Sequence, residues 1–77
     1  MEIAKRIQAD PDILGGKPTI RGLRISVAQV LKALAAGISE EELLREYPEL
    51  EPADIRAALA YAASLVEGER VLPVKGR

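Results

Sequence analysis

The sequence has no cysteine and no histidine, and these two absences remove much of the chemistry that small proteins use. Without cysteine the chain can form neither a disulfide framework nor a thiolate nucleophile. Without histidine it cannot build a zinc site from cysteine and histidine ligands, a serine–histidine relay or a histidine general base. We therefore predict a protein that is not an enzyme, that holds no metal or cofactor, and that acts through binding.

Aromatic residues are also scarce, with two tyrosines, no tryptophan and no phenylalanine, so the core must be aliphatic. The 77 residues are enough for one domain. A domain of this size buries only about 60% of the surface that its unfolded chain exposes, so we expect marginal stability. Association with a second copy is one way to bury more surface. We therefore expect a homodimer.

Long apolar runs are absent too. No segment of the sequence approaches the ~20 apolar residues that a membrane-spanning helix needs. The first ten residues, MEIAKRIQAD, lack the apolar stretch of a signal peptide. These absences predict a cytoplasmic protein that does not associate with a membrane.

Charge is unevenly distributed along the chain, although the net charge is only −1. Residues 1–34 have a net charge of +3, residues 35–68 of −6, and residues 69–77 of +2. The two ends are therefore basic and the middle is acidic. Such a distribution can orient a charged partner even when the total charge is near zero.

The N-terminal third of the chain predicts short β-structure. Residues 3–9 alternate loosely between apolar and polar side chains, as a single short strand does. Residues 19–20 and 24–25 are β-prone segments on either side of Gly22, which favours a small hairpin. We therefore divide the single domain into a strand and hairpin segment (1–25), a helical segment (26–68) and a C-terminal tail (69–77).

Three helices are predicted by clear start and stop signals. Ser26 and Ser39 each precede an apolar periodic segment, with Gln or Glu three residues later, which is the pattern of a capping box. Pro52 suits the first position of a third helix. Gly37 and Gly68 are placed to end the first and third helices. Short helices joined by tight turns predict a mainly α fold, a three-helix homeodomain-like or helix-turn-helix bundle with a short N-terminal β-hairpin.

The third helix has two predicted faces. Its inward face is expected to consist of Ile55, Ala58, Leu59, Ala62 and Leu65. Its outward positions are expected to be Asp54, Arg56, Ala57, Ala60, Tyr61 and Ser64.

Three segments of the chain resemble the family known as domain of unknown function 433. They are GGKPTIRGLRISV at residues 15–27, AGISEEEL at residues 36–43 and YPEL at residues 47–50. The resemblance extends from residue 7 to about residue 65. Two positions depart from the family pattern, because Leu23 replaces a small hydroxyl residue and Glu51 stands where Ser or Thr would cap the third helix.

The resemblance implies a winged-helix or homeodomain-like domain and a role as the antitoxin of a toxin–antitoxin pair. The partner that it implies is a PIN-like ribonuclease, and antitoxins of this type dimerise and bind their own promoter DNA. Two other functions are compatible with the residues. One is a non-enzymatic interaction module that binds no nucleic acid, and the other is a stand-alone DNA-binding regulator.

The basic residues of the N-terminal segment are the candidate DNA contacts. The outward face of the third helix is a poor reader of the major groove, because only Arg56 suits a guanine edge and acidic residues surround it. We therefore predict that any DNA binding uses the N-terminal basic segment; the alternative is a solvated surface of scattered charge. The predicted DNA-binding residues are Lys5, Arg6, Lys17, Arg21 and Arg24.

Two further interaction sites are predicted. The cations of the tail, Arg70, Lys75 and Arg77, could enter the carboxylate-rich active site of a PIN-like toxin; the alternative is a frayed, soluble tail. The smooth alanine-rich face of the third helix could form a close homodimer interface; the alternative is ordinary helix-favouring composition. The predicted dimer residues are Ala57, Ala60 and Tyr61.

Overall fold

The computed structural model describes residues 1–68, in which a three-stranded antiparallel sheet packs with three helices. The strands are β1 (Glu2–Ala4), β2 (Ile7–Ala9) and β3 (Pro18–Ile20), and the helices are α1 (Val27–Ala35), α2 (Glu40–Glu46) and α3 (Pro52–Gly68). Strand β2 lies in the middle of the sheet. Helix α1 contacts β3, α3 contacts β2, and the three helices contact one another.

This arrangement is α+β, so the prediction of a mainly α, homeodomain-like or helix-turn-helix bundle with a β-hairpin was wrong. The error began at residues 3–9, which were predicted as one strand. Arg6 has a φ of 65°, in the left-handed region, and the chain reverses there. One alternating segment therefore supplies two adjacent strands of a sheet.

The predicted hairpin around Gly22 is only partly formed. Strand β3 pairs with β2, with Ile7 opposite Ile20, and residues 24–25 form no strand. A tight turn does occur at Gly22, whose φ is 74°, and Thr19 and Ser26 form an isolated bridge beyond it. Strand β3 thus pairs with β2, which lies earlier in the chain, and local sequence patterns do not reveal this pairing.

The helix boundaries confirm the capping predictions. Both Ser26 and Ser39 accept a hydrogen bond from the backbone N–H three residues later, and both boxes are completed by the reciprocal side-chain bond. At the end of α1, Gly37 has a φ of 95°. Its N–H donates to the Leu34 carbonyl and the next N–H donates to the Ala33 carbonyl, which is a Schellman arrangement.

A single core joins the sheet to the helices. Isoleucines from β2, β3 and the turn before α1 pack with aliphatic residues from all three helices and from the connection before α3. No buried side-chain N or O atom within residues 1–68 lacks a hydrogen-bond partner. The buried core residues are Ile7, Ile20, Ile25, Val27, Val30, Leu43, Leu50, Ile55 and Ala58.

Candidate functional site: helix α3 and its arginine clamp

Two arginines in tight turns hold the beginning of α3 against the sheet. Arg6 lies between β1 and β2, and Arg21 follows β3 with a φ of 47°. The Arg21 N–H donates to the Arg6 carbonyl at 2.9 Å, so the two turns are joined. This backbone contact brings both guanidinium groups to the first turn of α3.

Asp54 receives both guanidinium groups. Arg6 Nη1 lies 2.9 Å from Asp54 Oδ1, and Arg21 Nη2 lies 3.0 Å from Asp54 Oδ2. Arg6 Nη1 also lies 2.9 Å from Glu51 Oε1. The Glu51 backbone N–H donates to Asp54 Oδ2 at 2.8 Å, so Asp54 also serves as a capping residue at the third position of α3. We call Arg6, Arg21, Glu51 and Asp54 the arginine clamp.

The clamp keeps Asp54 ionised although its side chain is fully buried. Burial alone would raise the pKa of the Asp54 carboxyl. Hydrogen bonds from Arg21, from the Glu51 backbone N–H and from Arg6 outweigh burial and lower that pKa from 3.8 to about 2. The hydrogen bonds to Asp54 also raise the pKa of Arg6 and of Arg21 above their ordinary value.

Asp54 had been predicted on the outward face of α3, and that prediction was wrong. The burial of a carboxylate requires partners, and both partners come from turns that are more than 30 residues away in sequence. One local signal was available. Glu51 directly precedes Pro52, and an acidic residue three positions later, here Asp54, is the acceptor of a capping box. That signal predicts the bond to Glu51 but not the two arginines.

A groove of about 530 Å³ lies between the β1–β2 turn and α3. The sheet contributes a cationic turn to it, and α3 contributes mostly small side chains. Among its lining residues the charged ones are Lys5, Arg6 and Arg56, and there is no carboxylate. The lining residues are Ala4, Lys5, Arg6, Ala53, Arg56, Ala57, Ala60, Tyr61 and Ser64.

The opposite side of α3 has an apolar stripe that continues beyond the core. Ile55 and Ala58 are fully buried, but Leu59, Leu65 and Val66, which follow them at helical spacing, are 44%, 54% and 62% exposed. The prediction that Leu59 and Leu65 face inward was therefore wrong. The cause is length, because α3 runs to Gly68 while its buried residues end at Ala58.

The predicted DNA-binding residues are placed in different surroundings. The guanidinium groups of Arg6 and Arg21 are bound to Asp54, while Lys5, Lys17 and Arg24 are exposed and form no ion pair within residues 1–68. Lys17 lies in a separate recess beside Lys32 of α1. Contact of these residues with DNA stays a prediction.

The predicted dimer residues Ala57, Ala60 and Tyr61 all line the groove. Their part in a dimer stays a prediction, since the structure contains one chain. The predicted toxin-binding residues Arg70, Lys75 and Arg77 lie outside the described residues.

Two features are absent from the described part of the chain. Within residues 1–68, no three acidic, histidine or cysteine side chains are grouped so that they could hold a metal ion. None of the described helices combines the length and the apolar character that crossing a bilayer requires.

Comparison with known proteins gives one family. The family model described as "Protein of unknown function (DUF433)" matches residues 7–62. An "Uncharacterized protein y4eO" from Sinorhizobium fredii (strain NBRC 101917 / NGR234) is 43% identical over 65 residues, which is 83% of this chain. The chain spans only 29% of the length of that relative.

A solved structure agrees with the fold. The crystal structure of a DUF433 member protein from Anabaena variabilis ATCC 29413 matches with a TM-score of 0.75 at 35% sequence identity. The match covers 80% of this chain and 61% of that one. The α+β arrangement is therefore shared with a protein of the same family description.

Proposed function

The chain belongs to the DUF433 family, and from that premise we propose that it acts by binding alone, as the antitoxin of a PIN-like ribonuclease. In this proposal the chain has no catalytic activity of its own and works in the cytoplasm. The partner is the nuclease that is encoded beside it. The exposed apolar stripe of α3 is the observation that carries the proposal.

The stripe supports a docking role because it is apolar without being needed for the core. Leu59, Leu65 and Val66 extend the buried side of α3 past the body of the domain. Contiguous apolar side chains on a helix that projects from a folded body are typical of a protein–protein contact. An amphipathic helix laid in an apolar groove of a partner is a common form of such recognition.

The rigid mounting of α3 favours the same proposal. The arginine clamp fixes the first turn of α3, so its second half is held in a defined direction from the sheet. A helix that is already formed loses less conformational entropy on binding than a disordered segment.

The tail supplies a second proposed contact with the nuclease. PIN-like nucleases hold a divalent metal with clustered carboxylates, and a cation placed among these carboxylates would compete with the metal. The sequence offers three cations after Glu69, namely Arg70, Lys75 and Arg77. Truncation after Glu69 should leave binding through α3 and remove inhibition of the nuclease.

Promoter binding is the second candidate function, and the exposed cations favour it. Lys5, Lys17 and Arg24 are exposed and have no acidic partner within residues 1–68. Each phosphate contact should contribute about 0.9 to the slope of log affinity against log salt concentration. Replacing Lys17 and Arg24 with alanine should reduce that slope by about two, whereas affinity that is unchanged by these substitutions would exclude them as contacts.

Co-expression of the chain with the neighbouring nuclease, followed by purification on a tag on the nuclease, tests the antitoxin proposal. We expect the wild-type chain to co-purify with the nuclease and the Leu65→Asp variant to fail to co-purify. The Arg56→Glu variant, changed on the other side of α3, should still co-purify. Absence of a nuclease gene beside this one, or no co-purification of the wild-type chain, would contradict the proposal.

A further inference from the structure

The groove on the other side of α3 offers a surface that the proposed nuclease contact does not use. Its α3 wall consists mainly of small side chains at positions three or four apart, including Ala57, Ala60 and Ser64. The Ser64 hydroxyl donates to the Tyr61 carbonyl of its own helix at 2.7 Å, so it brings no unpaired donor into the groove. We propose that this groove seats α3 of a second copy of the chain, packed antiparallel about a two-fold axis.

Charge complementarity along α3 carries the proposal. Arg56 and Glu67 are eleven residues apart, which is about three helical turns, so they lie on the same face near opposite ends of the helix. A two-fold axis that passes between the two α3 helices, at the level of Tyr61 and Ala62, places Arg56 opposite Glu67 of the second copy. The symmetry repeats the pair, because a two-fold interface uses the same surface twice.

The sheet strengthens this complementarity. Lys5 and Arg56 line the groove without an ion pair within residues 1–68, and Arg6 is already bound to Asp54. The groove therefore presents two available cations and no carboxylate, which favours Glu67 of a second copy. The same charge disfavours the chain's own tail as occupant, because residues 69–77 have a net charge of +2.

The small side chains allow the two α3 helices to approach closely, which the pairing of Arg56 with Glu67 of the second copy requires. Helices with alanine and serine at their contact can pack at the short end of the usual 8–10 Å range of interaxial distance. Tyr61, midway along the α3 wall of the groove, is half-buried and contributes an aromatic ring to this surface. The dimer leaves Leu65 and Val66 on the opposite side of α3, where they stay accessible.

Charge reversal tests the inference, with sedimentation equilibrium of the purified chain as the measurement. Arg56→Glu and Glu67→Arg should each weaken dimerisation about tenfold or more, since each change places two like-charge pairs in the symmetric interface. The double variant Arg56→Glu/Glu67→Arg should restore the wild-type dissociation constant to within about threefold. Leu65→Asp is the control and should leave the dimer unchanged.

Three outcomes would overturn the inference. They are a monomeric wild-type chain at about 100 µM, a double variant that is as weak as the single ones, and a dimer that is lost in Leu65→Asp. Circular dichroism of each variant should show the wild-type helix content, because all three positions are exposed. No nuclease is present in this measurement, so the absence of a dimer would not contradict the antitoxin proposal. In the same way, failure of the chain to bind a nuclease would not contradict the proposed dimer.

Discussion

At the scale of single residues, Asp54 has the greatest influence on the structure. Its carboxylate joins the first turn of α3 to two turns of the sheet, and those turns hold Arg6 and Arg21 in left-handed conformations. From the sequence, both arginines were predicted to be surface residues that contact DNA. Charge counts cannot show that an aspartate is buried, because burial depends on where the chain places its distant partners.

Replacing Asp54 with asparagine should destabilise the fold by about 2–3 kcal/mol. The amide keeps the shape of the side chain but leaves two guanidinium groups without the charge that they face. The two arginines are each about one-third exposed, so water offsets part of the loss. Urea unfolding measures the effect, and Glu46→Gln, an exposed carboxylate with no ion pair within residues 1–68, should change stability by less than about 0.5 kcal/mol. A change for Asp54→Asn no larger than the control would disprove the role of the clamp.

Acid should remove the contribution of Asp54 in a defined pH range. Its pKa is lowered to about 2 in the folded chain, so its contribution is present above its ordinary value of 3.8 and is lost as pH falls toward 2. A shift of this size corresponds to about 2 kcal/mol. The stability difference between wild type and Asp54→Asn should therefore shrink as pH is lowered from about 5 to about 2. If that stability difference stays constant over this pH range, the charge of Asp54 is not the cause of the difference.

At the scale of elements, local signals predicted the helices and failed for the sheet. Capping boxes, Pro52 and Gly37 act through neighbours within a few residues, so they could be identified from sequence. The pairing of β2 with β3 depends on a left-handed residue at Arg6 and on a loop of eight residues between the strands. Neither feature has a distinctive sequence pattern, and the fold class was therefore mispredicted.

The two capping serines should differ in their energetic contribution. The Ser26 hydroxyl is buried and accepts from the Gln29 N–H at 2.9 Å, whereas the Ser39 hydroxyl is exposed and accepts from the Glu42 N–H at 3.1 Å. Water can replace the cap only at the exposed site. We expect Ser26→Ala to cost about 1–2 kcal/mol and Ser39→Ala about 0.5–1 kcal/mol in urea unfolding. The reverse order would show that exposure does not control the strength of these caps.

At the scale of the whole molecule, α3 has two distinct surfaces. The groove side contains Ala57, Ala60 and Tyr61, which sequence analysis had selected for a dimer, and the structure adds Arg56 and Lys5 to that surface. The other side carries the apolar stripe, of which Leu59 and Leu65 had been predicted to lie in the core. Periodicity identifies an apolar face but does not show where the rest of the domain ends, so the exposure of Leu59 and Leu65 could not be predicted.

Inhibition of the proposed partner, a PIN-like nuclease, is the most direct test of the claim that the chain acts by binding through α3. Its ribonuclease activity should be titrated with the wild-type chain and with Leu65→Asp. We expect wild type to inhibit at close to one chain per nuclease and Leu65→Asp to require a concentration about tenfold higher or more, as for loss of an interface hot spot. Undiminished ribonuclease activity at excess wild-type chain, or equal inhibition by Leu65→Asp, would contradict the claim.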